Sequence, residues 1–417
     1  MKSIKLNFYH ISFIIFLSLA LLPRTGVIDN SSFQWLFLSI FNIVLLLYSF
    51  TSLGLKDFIK IFKINSLSLK SYLIFLLTAF ISIFYAYNIP EALITFSTLL
   101  NGFILFFILR LIIKNTSKNF VLIGSSVLLF LHLFFIFIAY FKISNQISFN
   151  FNYSNLLPGL TGNKNIAAAI IVFHLPLVVY LFHHSKNFIL KLSFFVLSTI
   201  SFYVLLLLSS RAAFVSLFAI LLIYIIDAFY KKRKSQLLVF IFSFLISFFF
   251  LKFSNLNGAS LSPISRLNTI STQDKSTSQR LDYYADAFYY MIDNPLYGVG
   301  LGNWKIKSID LQSSNIINFK IPYHVHNDFL QFGAELGVIG FLSYLLFFVI
   351  ILFQLIRSYI KSNDSSLSLF LLLSFIAFFI DSNLNFPHAR PLQVASFALF
   401  YALFLTLRIN KSHEEDF

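Results

Sequence analysis

About twelve apolar runs recur along this 417-residue chain, each roughly 15–22 residues long, the length a helix needs to cross the hydrocarbon core of a bilayer. They lie near 8–22, 33–50, 72–87, 93–113, 120–141, 166–182, 190–208, 212–229, 237–251, 338–356, 367–380 and 392–407. A backbone in lipid must satisfy its own N–H and C=O groups, so such runs become helices. The expected fold class is therefore an all-α, polytopic membrane protein with about twelve transmembrane helices. Charged residues make up only 11% of the chain, against about 25% in soluble domains. The first run follows Lys2 and Lys5, as a signal peptide would, but the Leu-Leu-Pro-Arg after it lacks small cleavage residues. It is read as an anchor.

Net charge is +15, which would suit a nucleic-acid partner if the basic residues were gathered. They are scattered between apolar runs, and orientation in the bilayer accounts for them. One set of loops holds Lys2 and Lys5; Lys56, Lys60, Lys63 and Lys70; Arg110, Lys114 and Lys118; Lys186 and Lys191; Lys231, Lys232, Arg233 and Lys234; Arg357 and Lys361; Arg408 and Lys411. The short loops opposite offer Arg24, Lys142, Lys164, Arg211 and Arg390. The first set is assigned to the cytoplasm, with both termini inside. Residues 1–417 then read as one integral membrane domain, and 252–336 as a large outer loop between the ninth and tenth spans. Loops of that length are uncommon without a task. There is no Cys, hence no disulfide framework and no thiolate metal site.

Within the long loop, the Ser-, Asn- and Thr-rich part over 254–278 reads as irregular. Over 279–293, Leu281, Tyr284, Ala285, Phe288 and Ile292 recur at helical spacing, which predicts an amphipathic helix on the membrane surface. Gly298, Gly300 and Gly302 follow, in a tight turn and not a nucleotide loop, since no strand–turn–helix surrounds them. The loop closes on Tyr323–Gly340, where His324, His326, Asn327, Asp328, Gln331 and Glu335 crowd the approach to the next span. Ionisable groups beside hydrocarbon are costly and by default mark a functional site.

Each candidate has a plain reading beside the functional one. Arg211, in a tight Ser209-Ser210-Arg211 turn before a helix, fits either a phosphate cradle or a snorkelling cap. Arg280 is a solvated charge or an anion partner among Tyr283, Tyr284, Tyr289 and Tyr290, with Tyr284 placed to meet sugar or lipid. His326 is a loop-holding residue or a neutral imidazole that works on a hydroxyl or phosphate. His324-Val-His326 with Asp328 lacks a convincing third ligand, so no metal is assigned. Asn163 and Asn165 sit in a turn cluster that either positions phosphate or sugar or is only a turn. A last outer loop holds Asp381, His388 and Arg390, where Asp381 orients the site, pairs with one of the arginines or is simply solvated. Glu335 is a weaker base candidate because it enters the membrane helix.

Together these segments resemble the O-antigen ligase/polymerase superfamily. His326-Asn327, nine residues, then Gly337-Val-Ile-Gly340 is similar to its His-Asn-x9-Gly-x-x-Gly signature. Gly162-Asn163-Lys164-Asn165 resembles its Gly-Asn-x-Asn element, and Ser210-Arg211-Ala212 its Ser-Arg-Gly/Ala element. Arg280-Leu-Asp-Tyr-Tyr-Ala-Asp-Ala, running on to Asn294-Pro and Gly-Val-Gly-Leu-Gly-Asn-Trp304, resembles its loop pattern. The likeness covers mainly 157–340, and the chain departs from it at Phe341, where ligases often carry Thr.

What the resemblance implies is a GT-C-like, metal-independent, inverting glycosyltransferase without cofactor, at the periplasmic face of a bacterial inner membrane. Its donor is a glycan on undecaprenyl pyrophosphate. Its acceptor is lipid A-core in a ligase, or another lipid-linked glycan in a polymerase. By motif, the essential arginines fall on Arg211 and Arg280 and the essential histidine on His326. Asn163, Asn165, Tyr284, His324, Asn327 and Arg390 are expected to contact substrate. The lipid bilayer is a partner and nucleic acid is not. A transporter is the rival class, although transporters usually carry charges or broken helices near mid-membrane, whereas here the polar groups gather on one side.

Overall fold

The structure is a computed structural model that describes residues 7–22, 31–146, 149–157, 159, 161–253, 275–313, 322–361 and 365–412. Among the described residues there is no strand. The helices are α1 (Phe8–Leu17), α2 (Ser31–Ile61), α3 (Leu67–Ser82), α4 (Ile89–Lys114), α5 (Lys118–Gln146), α6 (Lys164–His184), α7 (Phe188–Leu208), α8 (Arg211–Tyr230), α9 (Lys234–Phe253), α10 (Lys275–Asp293), α11 (Trp304–Gln312), α12 (Asp328–Lys361), α13 (Ser365–Leu384) and α14 (Pro391–Ser412). Ten are long and apolar enough to cross a membrane, and two shorter apolar stretches, Phe8–Leu21 and Pro391–Thr406, match the first and last runs. Each expected span is thus a helix, in an all-α polytopic membrane protein.

Helix starts are set by Asn. Asn88 Oδ1 accepts the Glu91 amide at the start of α4, with Pro90 in the first turn. Asn163 and Asn187 do the same for α6 and α7. Each cap satisfies an amide that the helix itself cannot pair. α6 is apolar on all sides and buried along most of its length, as a central helix must be. It lies antiparallel to α13, with Phe173 against Phe378 and Tyr180 against Phe370.

α12 is two helical limbs joined at Gly337, whose φ of 71° and ψ of −169° are non-helical. The first limb doubles back on the second. Phe329 packs on Phe348 with ring centroids 5.4 Å apart, and Phe332 on Tyr344 at 4.7 Å. Such a break strands backbone groups that must find other partners. The glycine turn supplies them. Val299 N donates to Ala334 O and Gly300 N to Glu335 O, both at 2.9 Å, while Val338 N donates to Pro295 O at 2.8 Å. The Gly-x-Gly-x-Gly and Gly-x-x-Gly segments are thus two halves of one joint. Gly302 N donates to Glu335 Oε2 at 2.8 Å and Leu301 N to Ser82 Oγ at 3.1 Å, tying the joint to α3.

α10 differs from expectation in two ways. It begins at Lys275, so Arg280 lies in its second turn and not at its start. The expected irregular stretch over 254–278 otherwise lies outside the described residues up to 274. Further, one side of α10 packs on protein, beside the first limb of α12. Tyr284 meets His326 O, Met291 meets Gly333, and Pro295 meets Val338. Ala287 and Met291 are buried there, while Leu281, Phe288 and Ile292 stay exposed. The limb offers a protein surface that a helix on lipid would lack.

The end of the bundle that holds the α13–α14 turn is recessed. Val394, in the first turn of α14, meets Gly102, in the fourth turn of α4. The start of α14 therefore lies up to about 15 Å below the start of α4 at a rise of about 1.5 Å per residue.

Gly337→Ala tests the joint. Its backbone conformation is nearly glycine-only, and a Cβ there would come within 2.4 Å of Pro295 O. The variant should lose about 3 kcal/mol of stability, read as a lower unfolding midpoint in detergent; an unchanged midpoint would refute the assignment.

Candidate active site

The site forms where the chain turns into α12. Asn327 caps that helix, its Oδ1 accepting Leu330 N at 3.1 Å and its carbonyl accepting Gln331 N at 2.9 Å. The residue before it, His326, has a φ of 62°, a left-handed conformation uncommon outside glycine. Tyr284 Oη lies 3.0 Å from both His326 O and Asn383 O. One hydroxyl proton thus holds α10, the His326 backbone and the end of α13 together. His326 Nδ1 is buried without a hydrogen-bond partner, so this imidazole keeps a polar atom in reserve. His324 Nδ1 and Val325 N lie 3.3 Å from Gln331 Oε1.

Phe386, in the turn between α13 and α14, gathers three of the expected residues. His324 stacks on it at 4.1 Å, His326 meets its edge at 5.1 Å, and the Arg390 guanidinium carbon sits 4.6 Å from its centroid. Beneath, Asp328 Oδ1 holds His388 Nδ1 at 2.6 Å, with Asp328 fully buried. A buried carboxylate needs such a partner, and this one clamps the start of α12 to the α13–α14 turn. Nothing in the sequence joined these residues, which lie 60 positions apart. Phe386 carried no signal either, as one of 57 Phe.

The other acids serve the frame. Asp381, read as orienting or solvated, is buried in α13 and accepts from Asn385 Nδ2 at 2.5 Å and Gln393 Nε2 at 2.7 Å. Glu335 is buried and holds Gly302 N and Gln331. Among the described residues, no group of three or more His, Asp or Glu side chains is arranged to hold a metal ion.

Arg211 and the two asparagines stand at other helix starts. Arg211 opens α8 after Ser209, in a left-handed conformation, and Ser210. α8 packs against α13; just past its far end, Arg233 Nη1 donates to Ser365 Oγ at 3.1 Å, at the start of α13. Arg211 therefore reaches the end of the bundle where α13 finishes. The antiparallel pairing of α6 and α13 brings Asn163 and Asn165 to that end too. There Asn163 Oδ1 accepts the Asn165 amide at 2.8 Å, and Lys164 Nζ donates to Ser154 Oγ at 2.7 Å.

Charge is uneven around His326. Burial, with Arg280 on α10 and Arg390 below adding to it, pushes its imidazole down to about 4. Burial likewise pushes His324 well below the ordinary range, helped by His388 and Arg390, and raises the Tyr284 hydroxyl against the pull of Arg280. A neutral imidazole flanked by two guanidiniums can share a hydrogen bond with an anion or a hydroxyl near neutral pH, and it resists taking up a proton of its own.

The shift has a stability consequence. As pH falls from 6.5 towards 4, the unfolded chain binds a proton at His326 that the folded chain refuses, so stability falls by up to about 1.4 kcal/mol per pH unit. Below 4 this contribution is flat. Unfolding measured across that range should show a shallower slope for His326→Gln; identical slopes would mean that His326 titrates normally.

Residues 194–345 match the family model described as O-Antigen ligase. The match runs from α7 into α12 and contains Arg211, Arg280, Tyr284, His324, His326 and Asn327; Asn163, Asn165 and Arg390 lie beyond it. No curated protein sequence matches the chain. With multi-pass apolar helices around it, this O-antigen ligase domain supports membership of the O-antigen ligase/polymerase superfamily and an enzymatic role of that type in a multi-pass membrane protein.

Proposed function

We propose that this protein is an O-antigen ligase-like glycosyltransferase that moves a glycan from undecaprenyl pyrophosphate to a sugar hydroxyl of lipid A-core. The transfer is inverting and metal-independent and takes place at the periplasmic face of the inner membrane, with 252–336 as the outer loop of a single membrane domain. The observation that carries this reading is that Arg280 and Arg390, from two separate elements, both bear electrostatically on the buried His326, with Arg390 and His326 meeting the same ring of Phe386. That is the charge pattern a diphosphate leaving group requires.

In this scheme the acceptor hydroxyl attacks the anomeric carbon from the face opposite the diphosphate. The bond from that carbon to the phosphate oxygen breaks, its electron pair stays on the diphosphate, and one displacement inverts the centre. Arg280, together with Arg211 from α8, offsets the charge growing on the leaving oxygen. Guanidinium forks match phosphate oxygens two at a time. His326 either takes the hydroxyl proton, once the bound diphosphate offsets the two guanidiniums, or donates to a phosphate oxygen while the leaving diphosphate takes up that proton. Arg390, Tyr284, His324, Asn327, Asn163 and Asn165 line the substrate's approach. The departure at Phe341 favours, as second reading, a polymerase that joins lipid-linked repeats.

Arg211→Ala and Arg280→Ala should each lower transfer about 100-fold or more with the protein still in the membrane; full activity in either would remove that residue from the mechanism. Deletion of the gene followed by glycolipid electrophoresis separates the two readings. Loss of a ligase leaves long polymer on the lipid carrier, and loss of a polymerase leaves one repeat on the core.

A further inference from the structure

We infer that Phe386 is a positioning residue of this site, a ring that holds Arg390, His324 and His326 in fixed register. The geometry also speaks against a commoner use. An exposed aromatic beside a glycan site ordinarily stacks on sugar, but here three groups of the protein itself crowd one partly buried ring. His324 lies nearly parallel to it, at 4.1 Å and 11°. The Arg390 guanidinium is 4.6 Å from the same centroid. His326 meets it at 73°, edge against ring.

The turn carrying Phe386 is itself pinned. The Asp328–His388 pair lies beneath it, and Asn385, the residue before it, bonds to Asp381. Tyr284 ties Asn383 O to the backbone of His326 from the other side. Phe386 is therefore the rigid spacer between a fixed turn and a strained histidine. A cation stacked on an aromatic face gains about 0.5–2 kcal/mol, which adds to what holds the Arg390 side chain. The groups bearing on His326 are Arg280 and Tyr284 from α10, His324 from its own segment and Arg390 from the turn, with Asp328, His388 and Asp381 beneath.

The part Phe386 plays in glycan transfer rests on the function proposed above; its hold on His326 does not. The experiment therefore uses two readouts on the full-length protein in detergent or liposomes. The first is a 13C-histidine NMR titration, with the His326 signal assigned by its loss in His326→Gln. In Phe386→Leu, water reaches the imidazole and Arg390 loses its seat. The His326 midpoint should then rise from about 4 by about one pH unit or more, while Phe386→Tyr stays near the parent value. A parent-like midpoint in Phe386→Leu overturns the inference, as does an equal rise in Phe386→Tyr, which would mark a purely packing role.

The second readout is transfer from a diphosphate-linked glycan. Phe386→Leu should lower kcat about tenfold or more, the scale of a misplaced catalytic group, with acceptor KM changed less than about twofold, and Phe386→Tyr should recover most of the rate. A large rise in acceptor KM with kcat kept would make the ring a sugar platform and overturn the inference. A shifted His326 midpoint in a protein without transfer activity would sink the proposed function and leave the positioning role standing.

Discussion

Capture of the opened backbone at Gly337 by the 298–302 turn is the contact from which the rest of the site follows. A break in an apolar helix is tolerable only when other groups take up the freed amides and carbonyls. Three backbone hydrogen bonds do so here. Because the break is stabilised, α12 can fold back on itself, and the chain before Asp328 is carried down to the level of His388. On an unbroken helix, His326 would stand beyond the bundle, away from Phe386 and Arg390. The same turn places α10 and α11, since it runs on into Asn303, whose side chain accepts the Asn88 amide at 2.7 Å.

The polar residues near the site divide by task. Asp328, Asp381 and Glu335 are buried acids, and each is occupied in holding an element in place. Arg280 and Arg390 arrive from different elements to bear on one imidazole. Architecture is thus carried by carboxylates with hydrogen-bond donors around them, and the cations bear on the part of the site where an anionic substrate would lie.

The spans and their order were legible in the sequence because hydrophobic length is a local property. The glycine turn was legible as a turn, but its docking partner was not: Gly337 reads as one more residue in a helical run until its φ is known. The stripe at Leu281, Tyr284, Ala285, Phe288 and Ile292 was correctly helical. Its division into buried and exposed sides depended on a neighbour that periodicity cannot name. His326 was visible through its polar neighbourhood, whereas Phe386 and the Asp328–His388 pair were not, since they owe their importance wholly to contacts between distant segments.

The joint at Gly337 also has a bearing on biogenesis. Its two halves are separated in the chain by α11 and the approach to α12, so the 298–302 segment is synthesised well before the backbone it must pair with. The first limb of α12 can meet α10 as soon as it is made, but Pro295 O has to wait for Val338 N and the hairpin for the second limb. Closure of the joint is therefore a late step. The hairpin and its glycine clasp mature as one late unit, after the preceding nine spans have already been laid into the bilayer.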